Sequence, residues 1–174
     1  MNVAFVTPRL DRLAEHAGAL LCVFALEERH PLAGITGALD WRLHGHLSRL
    51  VIGGFLTGKA GEQLLVPLGD RLGLEHLLVL GLGPRAALTP ARCRDALGRM
   101  FDAAAGLGGA ELVVALPGRP EQLVDPAEAM EAFLAAYDAA GRRRKVAIVD
   151  TAAAQKAMLP VLERHRLKSG VPAT

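Results

Sequence analysis

Short runs of continuously apolar residues, at Val3 to Val6, Leu20 to Ala25, Leu77 to Leu82, Leu112 to Leu116 and Val146 to Val149, constrain this chain more than any other feature. A strand that is apolar at every position, rather than at alternate ones, needs cover on both of its faces. Helical patterns lie between several of the runs, so the order of elements is that of an α/β domain. The expected architecture is therefore a three-layer α/β/α sandwich. A chain of 174 residues, 51% of them hydrophobic and 22% charged, is long enough for one such core and short for two. Disorder and coiled coil are both excluded by that composition. Residues 1–174 are expected to form a single domain, with a frayed tail over Ser169 to Thr174.

The helices announce themselves by their ends. Asp125-Pro126-Ala127-Glu128 combines a capping carboxylate, a first-turn proline and an acid three residues after the cap. Ala127, Met130, Phe133, Leu134 and Tyr137 then follow at three- and four-residue steps, and Gly141 stands where a left-handed terminator belongs, which predicts a helix over Pro126 to Ala140. A second helix opens at Thr89-Pro90, carries Cys93, Leu97, Met100, Phe101 and Ala104 on one face, and should stop before Gly106. Ala152 to Leu167 reads as helix too, but Pro160 inside it predicts a kink or two short helices. Between Pro31 and Gly61 the glycines at 34, 37, 45, 53 and 54 punctuate a helical pattern of Leu39, Trp41, Leu43, Leu47 and Leu50, so short helices and loops are expected there.

Charge and cysteine content name no partner. Twenty Lys plus Arg against 18 Asp plus Glu leave a formal charge of +2, so no strong field points to nucleic acid or to an anionic membrane. The longest apolar run, Ala17 to Leu26, is far short of the roughly 20 residues of a spanning helix. The amino terminus has no basic segment followed by an apolar stretch, so a cytoplasmic location is expected. Cys22 and Cys93 stand alone in apolar surroundings and read as reduced core thiols.

The middle of the chain carries Pro31-Leu32-Ala33-Gly34, Gly37-Ala38-Leu39-Asp40, Phe55-Leu56-Thr57-Gly58-Lys59-Ala60-Gly61-Glu62 and Leu77-Leu78-Val79-Leu80-Gly81-Leu82-Gly83. In order and spacing these segments resemble the amino-terminal domain of leucyl aminopeptidases, and the similarity extends less distinctly to about Leu167. The resemblance implies a macro-domain-like fold, in which a mixed sheet lies between helices. It implies no catalytic residue. Family enzymes hold two metal ions in a larger catalytic domain marked by an Asn-Thr-Asp-Ala-Glu-Gly-Arg stretch, which this sequence lacks. No acidic cluster of the required spacing replaces it, so no metal, no cofactor and no peptidase chemistry are expected here.

Candidate sites stand beside plainer readings. Gly81 and Gly83 follow a buried strand and could bring backbone amides to a phosphate, or could simply form a tight turn. The loop around Lys59 lacks the hydroxyl residue of a true phosphate loop, because Ala60 takes its place. Asp40 and Trp41 belong to the resemblance motif, and core packing, subunit contact and ligand stacking each account for the tryptophan. Gly81, Gly83, Asp40 and Lys59 are thus the candidate ligand-binding residues. His44 and His46 flank Gly45 without a third ligand and read as solvent-facing, while His16, His30, His76 and His165 are solitary. Arg142, Arg143, Arg144 and Lys145 follow a helix end, where the dipole favours cations; an anion or DNA contact is the alternative.

Three functions follow as expectations. The first is a stand-alone, non-catalytic relative of the aminopeptidase amino-terminal domain, acting in assembly or regulation through a protein partner or self-association, as the resemblance implies. The second is a macro-type module that binds ADP-ribose or a related nucleotide at strand ends. The third is an accessory part of an aminopeptidase whose metal-binding half is on another chain.

Overall fold

The computed structural model describes residues 2–28, 31–69, 72–108, 111–141 and 144–168. Its elements, in chain order, are β1 (Val3–Val6), α1 (Leu10–Leu13), β2 (Leu20–Leu26), α2 (Gly34–Arg42), α3 (His46–Ile52), β3 (Gln63–Pro67), β4 (His76–Gly83), α4 (Pro90–Leu107), β5 (Glu111–Val114), α5 (Pro126–Ala139), β6 (Lys145–Val149) and α6 (Ala152–Lys168), with a 3₁₀ turn at Arg85–Ala87. The strands form one six-stranded sheet in the order β1-β6-β5-β2-β4-β3. All pairs are parallel except β3 with β4, so the sheet is mixed, with an antiparallel strand at one edge.

Alternate residues of each central strand face opposite layers, as the pleat requires. Leu20, Cys22, Phe24, Leu112, Val114, Val146 and Ile148 join the core under α4, α5 and α6. Leu21, Val23, Val113, Ala147 and Val149 join the core under α1, α2 and α3. Both faces are buried, which is why these strands are apolar throughout. Between α4 and α5 the rings of Phe101, Phe133 and Tyr137 pack with centroids 5.6–6.0 Å apart, and the Tyr137 hydroxyl donates to the Arg144 carbonyl at 2.8 Å.

The helix starts are capped as their sequences demand. Thr89 Oγ1 accepts from the Arg92 amide, and Asp125 Oδ1 accepts from the amides of Ala127 and Glu128. Two expectations are corrected. Helix α4 runs through Gly106 to Leu107 and ends on Gly108, whose φ of +74° supplies the left-handed terminator. Helix α6 is one element from Ala152 to Lys168 despite Pro160. The proline lies on its exposed face, where water can satisfy the carbonyl that loses its amide partner. The edge strand β3 was not expected: it is half exposed and ends in a proline, so it lacks the continuous apolar signature. Both cysteines are free and buried. Among the described residues no helix is long and apolar enough to cross a membrane. The expected frayed tail, Ser169 to Thr174, lies outside the described residues.

Candidate functional site

Neighbouring parallel strands β2 and β5 send their chains in opposite directions. After β2 the chain enters α2 and α3 on one face; after β5 it enters α5 on the other. Where outgoing connections diverge in this way a crevice opens at the carboxyl ends of the strands. A cavity of about 290 Å³ lies past the end of β2 and against β4, walled by Phe24, Leu26, Leu32, Leu56 and Val79 and edged by the polar residues Glu27, Glu28, Thr36, Lys59 and Glu121. A second, broader hollow of about 740 Å³ occupies the ends of β5 and β6, lined in part by Arg119, Asp150 and Leu123. The segment from Arg119 to Asp125 contributes to both.

The loop Thr57–Glu62 forms one rim, and its own backbone fixes it. The Glu62 carboxylate accepts from the Thr57 amide, the Thr57 hydroxyl and the Gly58 amide at 2.6–3.1 Å. Gly81 donates its amide to the Glu62 carbonyl at 2.9 Å, and Gly83 donates to the Gly58 carbonyl at 2.8 Å. The glycines are needed for approach: a Cβ on Gly81 would stand 1.9 Å from the Lys59 oxygen, and one on Gly58 2.0 Å from the Leu26 oxygen. These amides, which could have met a phosphate, are thus engaged within the chain. Of the four ligand candidates read from the sequence, only Lys59 lines the cavity. Gly81 and Gly83 pack the loop behind it.

Asp40 is buried at the junction of α2 and α3, where its carboxylate accepts from both the amide and the hydroxyl of Ser48. It therefore caps the start of α3 from a neighbouring helix. Asp40→Ala is expected to cost about 1–2 kcal/mol, the usual range for a lost cap, in a thermal melt. Trp41, the next residue, is 79% exposed, which removes core packing from the explanations for it. His44 and His46 are exposed, and among the described residues no group of three His, Cys, Asp or Glu side chains gathers as a metal site would.

The basic run lies at the opposite end of the sheet, before β6. Arg142 and Arg143 fall outside the described residues. Arg144 donates to the Ala104 carbonyl in the last turn of α4 at 3.0 Å, and Lys145 pairs with Glu111 at 3.1 Å. Burial pushes the Glu111 carboxyl up, but hydrogen bonds from His16 and Lys145 outweigh it and hold the group below its ordinary value.

Sequence reasoning missed Glu28 and Glu121. They lie far apart in the chain, one just past β2 and one past β5, and line the same cavity. Glu28 Oε1 accepts from the Arg85 amide at 2.6 Å, while Glu28 Oε2 and Glu121 Oε2 are buried without a partner. Burial pushes the Glu121 carboxyl up, with Arg85 opposing. A pair of acids directly after the apolar run of β2 was the one available signal, since acids at that strand end often face a ligand.

The sandwich and its strand-end crevice define the macrodomain-like class of α/β proteins. A Trypanosoma brucei macrodomain in complex with ADP superposes with a TM-score of 0.70 at 15% identity, over 92% of this chain and 69% of its own. Its complex with ADP-ribose gives 0.67 at 17% identity, over 94% and 68%. A tomato leucine aminopeptidase variant gives 0.65 at 16% identity, over 95% of this chain and 36% of its own. The profile "Cytosol aminopeptidase family, N-terminal domain" matches residues 20–145, and the chain belongs to that family. A probable cytosol aminopeptidase of Cupriavidus metallidurans is 31% identical over 121 residues, 70% of this chain and 24% of the relative. The chain thus spans about a quarter of that relative's length.

Proposed function

We propose that this chain is a binding module that takes a small, nucleotide-like molecule in the cavity past the end of β2. The observation that carries the reading is a preformed cavity past the end of β2, where the chain turns to the layer opposite the one entered after its neighbour β4, the kind of place where open α/β sheets generally bind ligands. Macrodomains of the same fold hold ADP and ADP-ribose. The reading is supported by Lys59, a cation that lines the cavity and would meet an anionic group of the ligand. A cytoplasmic location accords with the naming of the relatives. Titration calorimetry with ADP-ribose on the full chain tests the reading: a saturable heat and a rise in Tm are expected, and no heat together with no thermal shift at millimolar ligand rejects it.

Assembly, the role the sequence alone favours, is supported by a separate observation. Trp41, Ile52 and Phe55, in the α2–α3 layer and the turn after it, are 79%, 76% and 72% exposed. Large apolar side chains left in water on one layer are a feature of protein interfaces. Light scattering should then give a mass above that of one chain, and Trp41→Ser with Phe55→Ser should return it to the monomer. A monomeric parent chain at high concentration removes self-association.

A further inference from the structure

We propose that the face made by the ends of α2 and α3 and the turn after α3 docks on the surface of an anionic lipid bilayer, with Trp41, Ile52 and Phe55 entering the headgroup boundary and Arg42 and Arg49 meeting the lipid anions. The inference is independent of the cavity and of any small ligand. It gives a different occupant to the side chains whose exposure supports assembly, and the solution mass tells the two apart.

The first ground is that these side chains form one continuous surface. The amide of His44, just past α2, donates to the Trp41 carbonyl at 3.1 Å, and Arg49 Nη1 donates to the His44 carbonyl at 2.7 Å. Ile52 follows Arg49 by three residues, which puts both on one side of α3. A Cβ on Gly53 would stand 3.1 Å from Phe55 Cδ2, so the phenyl ring folds back against the end of that helix. Trp41, Arg42, Arg49, Ile52 and Phe55 are all exposed, whereas Leu39, Leu43, Leu47 and Leu56 are buried and tie the layer to the sheet. None of the three large apolar side chains lines either cavity described above. They project into water from a firmly held base.

The second ground is charge. Residues 41–61 contain Arg42, Arg49 and Lys59 and no Asp or Glu, so the rest of the chain holds one more acid than base. The small net charge of the whole therefore conceals a positive stretch. The acids that bracket it are used internally: Asp40 accepts from Ser48, and Glu62 from Thr57 and Gly58. Lys59 lies at the margin, in the cavity with Glu27, while both arginines belong to the face itself. Elements that lie on anionic membranes combine cations with Trp, Phe and aliphatic side chains in this way, and an indole suits the boundary because its body is apolar and its N–H stays wet. A bilayer also takes projecting apolar side chains without a matching pocket. A second copy is a poorer match, since a two-fold contact sets the patch against its own image and arginine against arginine. A nucleic acid would stack on the aromatic rings but give Ile52 no role. Among the described residues no helix is long and apolar enough to cross a membrane, so the contact proposed is with the surface.

Trp41 is the only tryptophan of the chain, so its emission reports on this face directly. Phosphatidylcholine vesicles containing about a third phosphatidylserine, titrated into the full chain, should shift that emission to the blue and carry the protein into the vesicle pellet. Vesicles of phosphatidylcholine alone should bind about tenfold or more weakly, and added salt should release the protein from the anionic ones. Ile52→Ser with Phe55→Ser should weaken binding by about tenfold or more, and Arg42→Gln with Arg49→Gln should remove the preference for anionic vesicles. Both variants replace exposed side chains and should melt close to the parent. No blue shift with anionic vesicles at millimolar lipid, equal binding to the two vesicle types, or undiminished binding by the Ile52 and Phe55 double variant overturns the proposal. So does a dimeric mass by light scattering with the emission already blue-shifted before vesicles are added, which assigns the face to a second copy. A response to a single-stranded oligonucleotide without one to vesicles also overturns it, in favour of nucleic acid. The comparison of the two vesicle types needs no variant and so stands even if a substituted chain misfolds.

Discussion

Gly81→Ala is expected to destabilise the chain by about 3 kcal/mol, the upper part of the usual range for overpacking a rigid site, and to abolish ligand binding in the crevice. The new methyl carbon would start 1.9 Å from the Lys59 oxygen and 2.9 Å from the Gly58 carbonyl carbon, both backbone atoms. Relief requires the loop to retreat, and the loop has nowhere to go. Gly58 is itself pressed against β2, where a Cβ of its own would meet the Leu26 oxygen at 2.0 Å. Retreat would also break the bonds from Gly81 to Glu62 and from Gly83 to Gly58, at about 1 kcal/mol each. The control is Gly98→Ala in α4, where nothing lies within 4 Å of the added carbon and helix propensity should add about 0.5–1 kcal/mol of stability. Urea unfolding of both variants checks the pair. A Gly81 variant within about 0.5 kcal/mol of the parent, the usual scatter of surface changes, shows that the loop is free to shift.

That loop shows how differently fold and site were written in the sequence. Strands β2, β4, β5 and β6 were legible because burial on both faces leaves a run that is apolar at nearly every position, a signal that needs no tertiary knowledge; the edge strand β1 was legible as an apolar run although Ala4 is exposed. Strand β3 was not, because Gln63, Leu65 and Pro67 are exposed at the sheet edge and leave only Val66 buried. Pro160 predicted a kink or two short helices on local grounds; α6 is one helix, with the proline on its solvent face. Gly81 and Gly83 were visible as special positions; their use in closing the loop depends on where Lys59 and Glu62 arrive, which only the sheet order sets. Glu28 and Glu121 illustrate the same limit, since their lining one cavity follows from the sheet order and not from any spacing along the chain.

Arg119→Ala should prove the most damaging polar substitution, at about 3–5 kcal/mol, the cost of stranding one member of a buried ion pair. The pair with Asp150 is close to fully buried, with side chains 10% and 8% exposed and Nε 2.8 Å from Oδ2. Arg119 also donates through Nη1 to the Val124 carbonyl at 2.6 Å, so one side chain braces the segment between β5 and α5 at both ends. Asp150 in turn accepts from the Thr151 amide at the start of α6. Without the guanidinium, the buried Asp150 carboxylate is left with the Thr151 amide as its partner, and the segment carrying Glu121 loses its anchor. Pairing the change with Asp150→Leu should recover most of the lost stability, because the unpaired charge leaves with its partner. Recovery of stability is not expected to restore the crevice, since the bond to Val124 remains broken and Glu121 is no longer held against β2. Urea melts of the two single variants and the double, read beside ADP-ribose calorimetry on each, separate these effects; a cost below about 1 kcal/mol for Arg119→Ala, the level of exposed pairs, would mean that water already reaches the ion pair.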